Sequence, residues 1–289
     1  MTHMLFTDCL LHALEDTARL LPFLFLTYLV MEYLEQRAGE RSARAVRRTG
    51  RLGPLAGAAL GAVPQCGFSA AASSLYSGGL ITAGTLMAVF LSTSDEMLPI
   101  FISEAVNLGT ILKILGTKAA LGAVTGFLLD LLIRRFRKKE VHKDIHDLCE
   151  QDHCHCEEGS IVKSALRHTL QIALFLLVIS LAIELAIHLL GEEALSGFLT
   201  GKPVLGVFLA ALVGLIPNCA SSVVVTQLYL AGILGAGQMM AGLLVSSGVG
   251  LLVLFRTNRN LKENLKITGV LYAAGVFWGL LMEGMGVTF

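Results

Sequence analysis

The sequence is short of charge. Only 15% of its 289 residues are Asp, Glu, Lys or Arg, against about 25% in soluble domains. No charged residue occurs between Leu52 and Ser94, nor between Pro203 and Phe255. A helical crossing of a bilayer needs about 20 apolar residues, so each uncharged run holds more than one pass. Net charge is missing too: 22 basic residues balance 22 acidic ones, which removes the basic footprint expected of a nucleic-acid-binding protein. No Walker sequence is present, which argues against ATP drive within the chain. No Lys or Arg precedes Arg19, whereas Asp8, Glu15 and Asp16 do. That is the wrong charge for a secretory signal, so no cleaved segment is expected. The six cysteines suggest no disulfide framework, and free thiols suit a reducing cytosol.

Apolar residues and a long internal repeat are what the chain has in excess. It is 54% hydrophobic, with a mean hydropathy of +0.70. Residues Pro64 to Asp130 recur without a gap as Pro217 to Glu283, and 23 of the 67 pairs are identical. The matches include Pro64/Pro217, Cys66/Cys219, Leu75-Tyr76/Leu228-Tyr229, Gly84/Gly237, Ser94/Ser247 and Asn107-Leu108/Asn260-Leu261. Two apolar repeats that each open on a proline break are the mark of a transporter built from duplicated halves.

The chain divides into a first membrane repeat (1–133), a His- and Cys-rich linker (134–163) and a second membrane repeat (164–289). Positive-inside asymmetry orients them. The loop with Arg37, Arg41, Arg44, Arg47, Arg48 and Arg51 should be cytoplasmic, as should Arg134 to Lys139. The matching loop of the second half carries Glu192 and Glu193 and should lie outside. Equivalent loops thus fall on opposite sides, which predicts inverted repeats with an odd number of crossings each. Residues 55–101 must hide the extra pass, either as three short crossings or as a re-entrant hairpin plus one helix. The expected fold is an all-α integral membrane protein of about ten segments, in two inverted five-segment repeats with Pro-broken helices. Interrupted backbone at membrane depth is tolerated where it lines a cavity or is buried in protein, so the breaks mark the expected substrate site.

Pro64-Gln65-Cys66-Gly67-Phe68-Ser69 and Pro217-Asn218-Cys219-Ala220-Ser221-Ser222 carry the strongest functional signal. Each proline removes a backbone hydrogen bond. Free carbonyls then precede it and free N–H groups follow it. Gln65 and Asn218 add amide oxygens, and Cys66, Cys219, Ser69, Ser221 and Ser222 add thiols and hydroxyls. The competing reading is a kink between packed helices with small buried cysteines. Ser94-Asp95-Glu96 has Ser247-Gly248-Val249 as its repeat mate. A carboxylate pair inside a membrane segment is functional by default, unless it sits wet at a helix mouth. Glu32 and Glu184 correspond across a one-residue gap and are either coupling groups or interfacial; Asp130 and Glu283, near the ends of the closing helices, read as interfacial. Gly122-x-x-x-Gly126 and Gly275-x-x-x-Gly279 predict close packing between the repeats or between protomers.

The linker holds His142, His146, Cys149, His153, Cys154, His155 and Cys156. Imidazole with thiolate suits soft or borderline metals, but the spacing is too tight for a zinc finger. It reads as a loose cytoplasmic metal-collecting arm, or as a solvated linker that binds metal incidentally.

At its Pro-x-Cys motifs, Gly-rich helices and His/Cys linker the chain resembles the ten-helix heavy-metal exporters, often labelled manganese transporters, and more distantly the ArsP-type permeases. The ArsP type carries a further Cys after the first, where Gly67-Phe68 and Ala220-Ser221 stand here. The resemblance implies efflux of a metal or metalloid across a bacterial cytoplasmic membrane. The expectation is a multi-pass secondary exporter of a divalent metal, with manganese favoured because oxygen ligands outnumber thiols near the breaks. No resident cofactor is expected beyond a transported or linker-bound metal ion; the bilayer is the partner, and a homo-oligomer stays open. The rival is an exporter of an anion, phosphate, an oxyanion or a small organic acid, held at the N-termini of helices restarting after the prolines. An intramembrane enzyme is disfavoured, since the one histidine well inside an apolar segment, His188, lies near a helix end.

Overall fold

The computed structural model describes residues 52–64, 66–94, 97–136, 161–190, 203–218 and 220–289, with separate helical positions between 11 and 29. Among the described residues there are helices and no strands. In the first half they are α1 (Gly53–Gly61), α2 (Cys66–Ser77), α3 (Ala83–Ser92), α4 (Met97–Ser103) and α5 (Leu108–Phe136). Helix α6 (Ile161–Leu190) leads into the second half. There α7 (Pro203–Gly214), α8 (Ala220–Leu230), α9 (Ala236–Val245), α10 (Gly250–Thr257) and α11 (Leu261–Gly284) follow. The second set overlies the first at the 153-residue offset of the sequence repeat.

Local chemistry explains the boundaries. Pro54 stands in the first turn of α1, where a missing N–H costs nothing. The Thr82 hydroxyl caps α3 by accepting from the Thr85 N–H at 3.1 Å, and Asn260 does the same for α11. Helices α2 and α8 end on Gly79 and Gly232, at φ 69° and 72°. This left-handed conformation favours glycine and lets Leu80 and Ile233 bond back to Leu75 and Leu228.

Directions follow from close approaches. A Cβ on Gly53 would lie 2.3 Å from the Thr85 hydroxyl, and one on Gly61 would lie 2.1 Å from the Ser92 hydroxyl, so α1 runs parallel to α3. Only residues 78–82 join α2 to α3, so α2 must return toward the end where α1 began. Helices α1 and α2 therefore form a hairpin. At about 1.5 Å per residue each is far shorter than a hydrocarbon core of about 30 Å. Gly126 faces Gly84, and Gly122 faces Ala88, which sets α5 antiparallel to α3. The second half repeats the scheme, with Gly206 against Gln238, Gly214 against Gly242, and Gly279 against Gly237.

The Gly-x-x-x-Gly pairs expected to join repeats or protomers thus close α5 on α3 and α11 on α9, within each half. A Cβ on Gly126 would come 2.4 Å from the Gly84 carbonyl oxygen. Asp130 differs from expectation as well. It is buried, and it accepts from the Gly84 N–H at 2.9 Å and the Thr82 hydroxyl at 2.7 Å, so it caps α3 instead of facing the interface. Its repeat mate Glu283 lies against the start of α9 beside Gly237.

The halves exchange contacts reciprocally: α2 packs on α10, α4 on α8, and α3 on its counterpart α9. Helices α3 and α9 form the centre, and every residue from Ala236 to Val245 is buried. Outside them, α5 and α11 expose Leu112, Phe127, Leu128, Leu131, Leu265 and Phe277. Among the described residues four stretches are long and apolar enough to cross a membrane: Ala83–Ser103, Leu108–Arg135, Ala236–Thr257 and Leu261–Gly284. Large apolar side chains on the outer face are what a bilayer solvates, so this is a multi-pass membrane protein.

Candidate substrate site

Pro64 lies in the turn between α1 and α2, and Pro217 in the turn between α7 and α8. Each half has a second interruption, at residues 93–94 after α3 and at 246–249 between α9 and α10. Hydrogen bonds bring these interruptions together. The Ser94 hydroxyl donates to the Ala62 carbonyl at 2.8 Å, tying the end of α3 to the end of α1. In the second half the Ser221 and Ser246 hydroxyls are 3.3 Å apart, tying the start of α8 to the end of α9. Between halves, a Cβ on Gly250 would be 2.8 Å from the Cβ of Ser69 and 2.8 Å from the ring of Phe90. The Ser73 hydroxyl donates to the Gly250 carbonyl at 2.7 Å.

The result is a buried centre lined by hydroxyls and helix ends. Ser69, Ser73, Ser94, Ser221, Ser222, Ser246 and Ser247 are all essentially inaccessible. Ser73, Ser94 and Ser221 spend their hydroxyls on backbone carbonyls, as buried polar groups tend to. Ser247 does not: its Oγ is buried and has no hydrogen-bond partner. It follows the last turn of α9 and precedes Gly248, at φ 55°. An orphaned hydroxyl in such a place costs about 1–3 kcal/mol unless something meets it.

Of the residues singled out in the sequence, Ser69, Ser94, Asn218, Ser221, Ser222 and Ser247 are buried at or next to these helix ends. Asn218 is buried, but its side-chain oxygen accepts from the Ala220 N–H at 3.1 Å and so caps the restart of α8. Gln65, Asp95, Glu96, Cys219, Glu32 and the linker residues His142, His146, Cys149, His153, Cys154, His155 and Cys156 lie outside the described residues. So do the side chains of Cys66 on α2 and Glu184 on α6. Among the described residues no group of three or more His, Cys, Asp or Glu could hold a metal ion.

Sequence reasoning missed Lys118. It lies on α5, is 1% exposed, and donates to the carbonyls of Thr93 and, at 2.8 Å, Leu243. The signal was present: a lysine in an apolar helix whose repeat mate is Leu271. An ionisable group inside a membrane segment is a functional candidate by default.

A duplicated bundle of interrupted, lipid-facing helices around a buried polar centre defines a membrane transporter. The chain belongs to the family described as "Putative, 10TM heavy-metal exporter", whose match spans residues 7–189, well over half the chain. No curated protein and no solved structure gives a significant match.

Proposed function

We propose that the protein is a secondary exporter of a divalent heavy metal, manganese foremost, in the bacterial cytoplasmic membrane. The observation that carries this reading is the orphaned Ser247 hydroxyl in a buried centre of serines. Hydroxyl, carbonyl and carboxylate oxygens are the ligands that suit manganese. Asp95 and Glu96, next along the chain from Ser94, supply the negative charge, and Gln65, Cys66, Asn218 and Cys219 complete the lining.

The proposed architecture is a pair of inverted repeats. The Ser77 and Thr257 hydroxyls are 2.7 Å apart, which sets the end of α10 beside the end of α2. That is the end from which α3 departs. With Ala236–Thr257 as one crossing, α9 departs from the opposite end. In this reading α1–α2 and α7–α8 are re-entrant hairpins, and each half has one broken helix. The linker at 134–163 collects metal on the cytoplasmic side, so replacing its histidines and cysteines weakens metal binding there and leaves substantial transport.

One observation favours the anion alternative, namely the buried Lys118 ammonium beside the centre. Metal uptake into inverted vesicles, with binding measured on purified protein, separates the two. For the metal, Asp95→Asn and Ser247→Ala each abolish export, because no other group replaces a coordinating oxygen in a dry site. For an anion, Asp95→Asn keeps or tightens binding of phosphate or arsenate, and the damaging changes are at Ser69, Ser221 and Ser222. Full manganese affinity in Asp95→Asn would sink the metal reading.

A further inference from the structure

Lys118 occupies an unusual position. It is fully buried in α5, and no other charged residue lies between Lys113 and Asp130. Its ammonium lies between the ends of two helices from different halves. Helix α3 stops at Ser92, and the Thr93 carbonyl, one residue beyond, has no helical N–H to receive. Helix α9 stops at Val245, so the Leu243 carbonyl is among the orphans of its last turn. Both carbonyls point at the Lys118 Nζ. Two C-terminal dipole ends converge there, and each carries roughly half a negative charge. The ammonium has three donors and no acceptor, and these two bonds are not its only interactions.

Carbonyl oxygens converging from helix C-termini form the arrangement that holds a monovalent cation inside a transporter. Here the positive charge comes from the chain itself. The equivalent position of the second half is Leu271, so the charge is single although the scaffold is double. It lies where α3 meets its own counterpart α9.

We propose that the Lys118 ammonium is a resident cation. It fills the position between the α3 and α9 C-termini that an inorganic coupling ion would otherwise take. The empty carrier therefore holds its two halves together without a monovalent cation from solution. This goes beyond the export reading and does not depend on which substrate is carried.

The test uses purified full-length protein without substrate, in sodium chloride or in N-methylglucamine chloride at equal ionic strength. The wild type melts at the same temperature in both. Lys118→Ala melts lower in N-methylglucamine and recovers most of the loss in sodium or methylammonium, which enter the vacated space. Lys118→Met refills that space without charge and stays low in both salts. A merely structural lysine would give no such salt difference. A folded Lys118→Ala variant that is indifferent to the salt overturns the proposal. If the alanine variant does not fold, the wild type decides: equal melting with and without sodium supports the proposal and a sodium-dependent gain overturns it, with the identity of the exported substrate untouched in either case.

Discussion

Thr125 and Trp278 are the same position of the two repeats, and they touch. The indole N–H of Trp278 donates to the Thr125 hydroxyl at 2.9 Å, across a separation of 153 residues. A pair of equivalent positions can meet only where the relation between the halves passes through the molecule. The packing of α3 on α9 marks the same line.

The first prediction concerns which way that line runs. With the axis in the membrane plane, equivalent loops open to opposite sides. Single cysteines replacing Arg44 and Glu192, probed with a membrane-impermeant maleimide, should then label from opposite faces. Labelling of both from the same face would exclude the inverted arrangement.

The second concerns helix contact. At Gly84 and Gly126 an added Cβ meets backbone at 2.2 and 2.4 Å, which cannot move aside as a side chain can. Gly84→Ala and Gly126→Ala should each destabilise the protein by about 1–3 kcal/mol. Gly116 lies on α5 with Gly126 and has nothing within 4 Å. Gly116→Ala should stabilise by roughly 0.5–1 kcal/mol, through helix propensity alone. Thermal unfolding in detergent orders the three variants.

A third prediction follows from the buried cap. Asp130→Ala removes the acceptor of both the Gly84 N–H and the Thr82 hydroxyl, and should cost about 1–2 kcal/mol. Asp130→Asn keeps one acceptor oxygen and should cost less. Melting temperatures of the two variants check the order, and an Asp130→Ala variant as stable as the wild type would show that the carboxylate caps nothing.

The fourth concerns one contact between the halves. Where α2 meets α10 and α11, Ser73 bonds the Gly250 carbonyl, Ser77 bonds Thr257, and Tyr76 bonds Glu263. The equivalent residues of the α8–α4 contact are Thr226 and Met97, Leu230 and Glu104, and Tyr229 and Thr110. The leucine and the glutamate cannot reproduce the hydroxyl pair. Ser77→Ala combined with Thr257→Val should therefore loosen the α2 face, raising the labelling rate of a cysteine placed at Ser73. An unchanged rate would show that the contact is held by packing alone.

The gross plan was legible because duplication is a covalent fact: the offset that aligns Pro64 with Pro217 also aligns Ala83 with Ala236 and Leu108 with Leu261 as helix starts. Hydropathy located the uncharged runs, but could not choose between three crossings and a hairpin within residues 55–101. That choice rests on tertiary approaches such as Gly61 to Ser92. Asp130 read as interfacial because its position in the helix suggested an end; its partner, the N-terminus of α3, is 46 residues away in sequence. Ser246 and Lys118 were passed over for a different reason. The repeat drew attention to positions where the halves agree, while Thr93/Ser246 and Lys118/Leu271 are positions where they differ.

That difference has a thermodynamic consequence. In a carrier built from two identical inverted repeats, the outward-facing and inward-facing forms would be related by a two-fold rotation and equal in free energy, and the empty protein would spend half its time in each. The Ser77–Thr257 pair, with Leu230 and Glu104 at the matching places, removes that degeneracy. On the proposed inverted-repeat reading, the unloaded molecule then waits preferentially with one mouth shut, so the same substrate meets it with unequal apparent affinity from the two sides. The ratio of those affinities is set by the free-energy gap between the two closures. On that reading, the side on which the carrier waits is written into two pairs of side chains, Ser77 with Thr257 and Tyr76 with Glu263, and one serine bonded to a backbone carbonyl.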